Sequence, residues 1–166
     1  MGSLDRAGFA KMVAKAECQA TSSESEKRFL GGAYNLAVHL FRREAEADEC
    51  IHLCKSVVAR MLSRPLDPGM VPVFSKCSGL LFNCHQRRDN MVEACDTVVS
   101  CMAFLLEQDC PFSEIKPWVE RYVRARARLP SQSQEEMVVR IHAKMAKCRW
   151  QEVSESNLVL GYVLPV

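Results

Sequence analysis

Cys50, His52 and Cys54 form a group of residues whose types and spacing could do chemistry. Thiolate and imidazole groups are preferred zinc ligands, and a thiol beside an imidazole is also the pairing of a cysteine nucleophile with its base. The stretch that holds them, LFRREAEADECIHLC, therefore raises a metal site and a reactive cysteine as two possibilities. A third is that Cys50 and Cys54 lie on the buried face of a helix.

The third possibility is the one we favour. Residues four apart converge on a helix, whereas His52 would point about 200 degrees around the axis from Cys50. A metal would need further ligands, and Cys84 with His85 is the other mixed cluster in the sequence. Free cysteine is among the most buried residue types. We therefore predict packed cysteines, no metal, no cofactor and no catalytic residue, and hence a protein that is not an enzyme.

Size, charge and cysteine content narrow the class of protein. The 166 residues suit about one domain, and 22 basic against 20 acidic residues give a formal charge of +2. So balanced a charge does not by itself indicate nucleic acid or an anionic membrane as a partner.

Nine cysteines in mostly apolar helical surroundings indicate a reducing compartment, cytoplasm or nucleus. No stretch approaches the roughly 18 apolar residues that span a bilayer, so we expect a soluble chain.

The elements that must position these residues are predicted to be helices. Apolar residues recur at helical spacing, and no segment alternates as a strand would. The predicted helices are 4–20, 24–43, 47–62, 72–87, 90–107, 113–128 and 134–147, and a short eighth could follow. Ser23 with Glu26, and Ser133 with Glu136, have the spacing of capping boxes. Pro117 suits the first turn of its helix better than the interior. We predict an all-α fold of seven or eight helices.

A repeat relates two of the predicted helix pairs. LAVHLFRREAEADECIHLC from Leu36 aligns without gaps on LFNCHQRRDNMVEACDTVV from Leu81, 45 residues later. Each copy reads as a helix, a turn with two arginines and an acidic residue, and a second helix with a cysteine at its first inward position. A short turn makes the two helices antiparallel neighbours. The corresponding residues are Arg42 and Arg87, Arg43 and Arg88, and Cys50 and Cys95.

This pattern resembles the tetratricopeptide-like helical repeat superfamily. Leu36 and Ala37 stand at the large-small pair of that family's first helix, and Cys50, Cys54 and Val57 at the small and bulky positions of its second. The resemblance implies stacked antiparallel helix pairs in a solenoid that binds other proteins. We predict one domain over 1–166, with a leading helix (4–20), repeat pairs (24–63 and 69–109), an extra helix (112–128) and a final pair (132–160).

Two further likenesses are narrower. The order of helix pairs and the late RWQEVSESNLVLG are similar to the cytosolic domain of the peroxin family that recruits paired AAA ATPases to peroxisomes. That likeness implies an adaptor at an organelle membrane, and because the family is tail-anchored and no anchor is found here, it implies either a cytosolic fragment or shared architecture alone. AYNLAVHLF is similar to the helical repeats of separase and of Spo22-type proteins.

ERYVRARAR, residues 120–128, is the sharpest charge feature. Arg121, Arg124 and Arg128 fall on one helical face, which could be a solvated face, a ridge that grips an acidic protein segment, or a nucleic-acid surface. We do not expect nucleic acid, because Trp118 and Tyr122 sit at core spacing. The residues predicted to bind a partner lie off the core stripes and are Tyr34, His39, Arg42, Arg43, Arg87, Arg88, Arg121 and Arg124.

The predicted function is therefore protein binding on a helical-repeat surface. The partner would present a peptide or an acidic or amphipathic helix. The apolar end, NLVLGYVLPV, could dock on its own helices, cap the last pair, or mark a chain that is part of a larger protein or complex. A cysteine-dependent enzyme and a zinc-binding protein remain as alternatives, and they differ from the binding module in thiol reactivity and in response to chelators.

Overall fold

A computed structural model describes residues 6–43, 47–63 and 67–145, with the backbone alone for residues 6, 141, 142, 144 and 145. These ranges contain seven α-helices, one 3-10 turn and no strand, which confirms the predicted all-α class. The apolar end and the second half of the predicted final pair lie outside them. The helices are α1 (Arg6–Gln19), α2 (Ser23–Phe41), α3 (Ala47–Leu62), α4 (Val71–Arg87), α5 (Met91–Glu107), α6 (Phe112–Arg126) and α7 (Ser131–Met145), with the 3-10 turn at Pro68–Met70.

The amino-terminal cap of α2 differs from the prediction. Ser22, not Ser23, is the capping residue, and it exchanges hydrogen bonds with Ser25 in place of Glu26. The physical reason is that the Glu26 carboxylate accepts two hydrogen bonds from Arg60. More than one serine of TSSESE could cap α2. The ion pair between Glu26 and Arg60 removes the pairing of Ser23 with Glu26, so Ser22 and Ser25 form the cap.

Two expectations for α6 and α7 are also wrong. The capping box at Ser133 is excluded because α7 already begins at Ser131. Pro117 was expected in a first turn, but α6 begins at Phe112, so the proline is inside the helix. Pro117 is exposed, and since it has no N–H, the carbonyl of Ser113 gains no helical hydrogen bond from it.

Packing divides the chain into two compact units, and the boundary in the sequence falls between Cys84 and His85. In unit 1, residues 1–84, α2 packs against α3, as predicted for the first repeat pair, and α1 contacts α2. Leu30, Ala37 and Leu40 of α2 are almost fully buried, as are the inward residues of α3. Burying a leucine side chain stabilises a fold by about 1.5–3 kcal/mol, so this stripe supplies much of the driving force for unit 1.

Arg60 connects three elements of unit 1. Its guanidinium donates to both carboxylate oxygens of Glu26 at 2.6 and 2.7 Å, to Glu17 at 3.3 Å and to the carbonyl of Ala20 at 2.9 Å. It also lies 5.5 Å from the ring centre of Phe29. The Arg60 side chain is only 12% exposed, so these charges interact in partly dehydrated surroundings. The end of α3 is thereby fixed to the end of α1 and the start of α2.

Unit 2, residues 85–166, is organised around α5, which packs against both α6 and α7. Ten of the 17 residues of α5 are buried, and they lie on most sides of the helix. A helix that is apolar nearly all round is expected at the centre of its unit. Trp118 and Tyr122 of α6 are the two largest fully buried side chains in the described part of unit 2, at 1% and 0% exposed.

None of the helices in the described residues is both long enough and apolar enough to cross a membrane.

Candidate functional site

The cysteines of the opening motif are packed inside unit 1. Cys50 and Cys54 are 0% and 2% exposed, which confirms that they occupy inward positions of α3. The Cys50 thiol donates to the carbonyl of Ala37 at 3.2 Å, and its sulfur lies 3.4 Å from that of Cys84. His52 is exposed on the other side of α3, as the helical geometry predicted. The structure therefore separates the histidine from the thiols and adds Cys84 to them.

The surroundings of these thiols oppose ionisation. Hydrogen bonds with Cys50 and Cys84, together with burial, raise the pKa of Cys54 far above its usual range. Burial alone raises the pKa of Cys77 to about 12 and is the main reason that the pKa of Cys95 rises to about 11. Since the thiolate is both the nucleophile and the metal ligand, protonated thiols are poor in either role. Among residues 6–43, 47–63 and 67–145, no group of three or more His, Cys, Asp or Glu residues is arranged to hold a metal ion.

Thiol alkylation under native conditions should therefore follow exposure. Among the eight described cysteines, Cys18 is exposed and should be modified by iodoacetamide first, and Cys110, which is partly buried and has a raised pKa, should follow more slowly. Mass spectrometry of the peptides over time gives the rate at each position. A buried cysteine that reacted faster than Cys18 would indicate an activated nucleophile and would support the enzyme alternative. The buried thiols are Cys50, Cys54, Cys77, Cys84, Cys95 and Cys101.

The arginine pair of the second repeat is held at the surface by a tight turn. Asp89 has a φ of 54° in the left-handed region, and the N–H of Asn90 donates to the carbonyl of His85 at 2.9 Å. This is the hydrogen bond of a Schellman ending of α4. The Asn90 side chain then accepts from the N–H of Glu93 at 3.5 Å and caps α5. Arg87 and Arg88 are exposed beside this turn.

The carboxyl end of α6 lies against the same turn. Nη2 of Arg128 is 3.2 Å from Oδ1 of Asp89, and both side chains are largely exposed. Arg124, one helical turn earlier, is exposed and uses its Nε to donate to the carbonyl of Glu120 at 3.3 Å. Two basic segments that are distant in sequence thus meet within unit 2. We refer to Arg87, Arg88, Arg124 and Arg128 as the arginine edge.

Arg121 has a different environment from the arginine edge. Its guanidinium lies 4.5 Å from the ring centre of Trp118, a cation–π contact. Burial lowers the pKa of Arg121, and the side chain is only partly exposed. The arrangement indicates that Arg121 covers the buried tryptophan and contributes less surface charge than Arg124 does.

The remaining predicted partner residues belong to unit 1. His39 lies on the last turn of α2, and Arg42 and Arg43 follow that helix directly, all three exposed. Tyr34 is half-buried and lies about 140 degrees around the helix from His39. The structure therefore groups His39 with the first arginine pair and places Tyr34 on a different face.

The contact of Asp89 with Arg128, which joins the two parts of the arginine edge, could not be predicted from the sequence. In the sequence alone, Asp89 is the acidic member of the repeated turn, and Arg128 is one residue of a basic helix end. The 38 residues between them contain two helices, α5 and α6, so spacing gives no indication of contact. A usable signal was the position of Asp89 at the end of α4 before Asn90, since Asp and Asn tolerate the left-handed turn conformation.

Comparison of the chain with protein-family models, with curated protein sequences and with solved structures finds no match.

Proposed function

We propose that the protein is a non-enzymatic binding module whose arginine edge captures an acidic segment of a partner protein. The observation that carries this proposal is the contact between Asp89 and Arg128, because it brings the Arg87-Arg88 turn to the end of α6. The acidic residues closest in sequence to these four arginines are Asp89 and Glu93 at the turn and Glu120 one helical turn before Arg124, so the arginines outnumber them by four to three. Arginine presents planar, multiple donors that suit carboxylate groups, so an acidic peptide is the complementary ligand.

The start of α7 adds to the positive potential. This helix begins three residues after Arg128, and its first turn contains no acidic residue. The amino terminus of a helix carries a partial positive charge that favours anions nearby. A partner segment with several aspartates or glutamates would therefore meet both side-chain and backbone donors.

A protein partner fits better than nucleic acid. Single-stranded nucleic acid is bound by aromatic side chains that stack on bases beside a basic groove. Trp118 and Tyr122, the aromatic residues interleaved with these arginines, are 1% and 0% exposed and have no face open to a base. The formal charge of +2 also gives little general attraction for a polyanion.

The resemblance to tetratricopeptide-like repeats supports the same proposal. So do the raised pKa values of the buried thiols Cys54, Cys77 and Cys95, which make these three cysteines poor nucleophiles. None of the eight described cysteines forms a disulfide, and this suits a reducing compartment such as the cytoplasm or nucleus. An adaptor that recruits an AAA ATPase would be one instance of such a module.

Selection from a random-peptide display library tests the chemistry of the ligand. The folded protein is immobilised, and enriched sequences are compared with the unselected library. The proposal predicts enrichment of aspartate and glutamate, and binding that weakens as salt is raised, because exposed charges are screened over about 10 Å at 0.1 M salt. Enriched peptides with no acidic bias would contradict it.

A further inference from the structure

An apolar groove between α1 and α2 of unit 1 is not used by the proposed function. It has a volume of about 270 Å³, and Leu53 of α3 closes its floor. This is smaller than the roughly 300–1,000 Å³ typical of small-molecule pockets, and it suits one or two anchoring side chains of a protein partner. The residues that line its open part are Met12, Ala16, Arg28, Phe29, Gly32 and Leu36.

The groove leaves apolar side chains open to solvent. Met12 is 53% exposed, whereas its neighbour Val13 is buried in the core. Phe29 and Leu36 are each partly exposed. Methionine is flexible and polarizable, and it is over-used on surfaces that bind varied helices. These side chains therefore form an apolar patch on which the apolar face of another helix could pack.

The charge around the groove specifies what the occupant must carry. Arg28 lines the groove with a side chain that is 79% exposed, and Lys11 and Lys15 are exposed on α1 beyond Met12. Glu24 of α2 pairs with Arg28, and the other acidic residues close by, Glu26 of α2 and Glu17 of α1, both pair with Arg60. The rim is thus positive overall, and acidic residues beside an apolar stripe would complement it.

Two glycines in the middle of α2 also indicate that the groove is a binding surface. A glycine inside a helix costs about 1 kcal/mol relative to alanine, so Gly31 and Gly32 together weaken α2. A Cβ atom added at either position would meet nothing within 4 Å, so internal packing does not require them. Gly32 lines the groove, where bare backbone permits the close approach of another backbone.

We propose that this groove binds one amphipathic helix of a partner protein, with its apolar stripe on Met12, Phe29 and Leu36 and its acidic flank toward Arg28 and the lysines of α1. The site belongs to the opposite unit from the arginine edge and would hold a second segment. Its test does not depend on the proposed function, since reversal of Arg88 and Arg124 should leave this binding unchanged.

The test uses a fluorescent, helix-stapled peptide with leucines at positions i, i+3, i+4 and i+7 and glutamates on one flank, and a twin with lysines in place of the glutamates. Fluorescence anisotropy should show that the acidic peptide binds the full chain more tightly than the basic twin. The Gly32→Gln and Met12→Glu variants should each weaken that binding at least about tenfold, because one fills the groove and the other adds a like charge.

Gly31→Gln is the matched control, since it makes the same change one residue away, off the groove lining. Both glutamine variants replace a helical glycine with a good helix former and should raise the midpoint of thermal unfolding, so a loss of binding at Gly32 cannot be due to misfolding. The proposal would be overturned if the acidic peptide bound the Gly32→Gln variant as tightly as the unchanged chain. It would also be overturned if the basic twin bound as tightly as the acidic peptide or more tightly, or if neither peptide bound. Self-association of the chain that Gly32→Gln abolishes would overturn it too, because the occupant would then be a second copy.

Discussion

Replacing Arg60 with alanine should lower the free energy of unfolding of unit 1 by about 3 kcal/mol. The change removes two short hydrogen bonds to Glu26, one to Glu17 and one to the carbonyl of Ala20. The carboxylate of Glu26 is only 17% exposed, so water replaces the lost donors poorly. Urea denaturation followed by far-UV circular dichroism measures the loss.

Other substitutions provide a matched control for Arg60→Ala and separate the effect of the Arg60 charge from that of its hydrogen-bond geometry. Arg28→Ala removes an exposed pair with Glu24 on the same helix face and should cost about 0.5 kcal/mol. Arg60→Lys keeps the charge but loses the two-pronged contact, and it should fall between the two. A double-mutant cycle with Arg60→Met and Glu26→Met isolates the energy of the pair itself. If Arg60→Ala cost no more than Arg28→Ala, the three-element connection at Arg60 would not stabilise the fold.

Reversing two charges of the arginine edge, Arg88→Glu with Arg124→Glu, should weaken the binding of a selected acidic peptide by about 100-fold. Each reversal replaces an attraction with a repulsion, and a change of about 1.4 kcal/mol per position gives a factor of ten. Both side chains are exposed, so the free energy of unfolding should change little. Isothermal titration with the peptide from the display selection gives both affinities.

Lys116→Glu with Arg140→Glu is the control for net charge. It makes the same total change in unit 2, at exposed positions outside the arginine edge. The proposal predicts a loss of no more than a few-fold for this control, through long-range electrostatics alone. Equal losses for the two double variants would mean that the peptide responds to overall charge and that the arginine edge is not a site.

The helical skeleton could be predicted because each helix carries its own signal. The apolar spacing of Cys50, Leu53, Cys54 and Val57 gave α3 its bounds and its buried face, and the structure bears out both. The alignment of the two repeats placed Cys95 on Cys50, and each is 0% exposed. Local periodicity is enough for such inferences because the buried side of a helix is fixed by residues three and four apart.

The contacts between helices could not be predicted in the same way. Arg60 reaches residues 34 and 43 positions earlier, and its sequence neighbourhood shows only a basic residue near the end of a helix. The same holds for Cys84, which lies against Cys50 across 34 residues. The capping box assigned to Ser23 and Glu26 was wrong for this reason, since a long-range partner took the carboxylate that the local pattern assigned to the cap.

The most direct test of the central claim is to map where the acidic peptide binds. Backbone and arginine side-chain NMR signals of the isotope-labelled protein would be followed as the selected peptide is added. We expect shifts in the signals of Arg87, Arg88 and Asp89, together with those of Arg124 and Arg128 at the end of α6. Shifts confined to other surfaces, or an acidic peptide that binds without moving the arginine signals, would contradict the central claim.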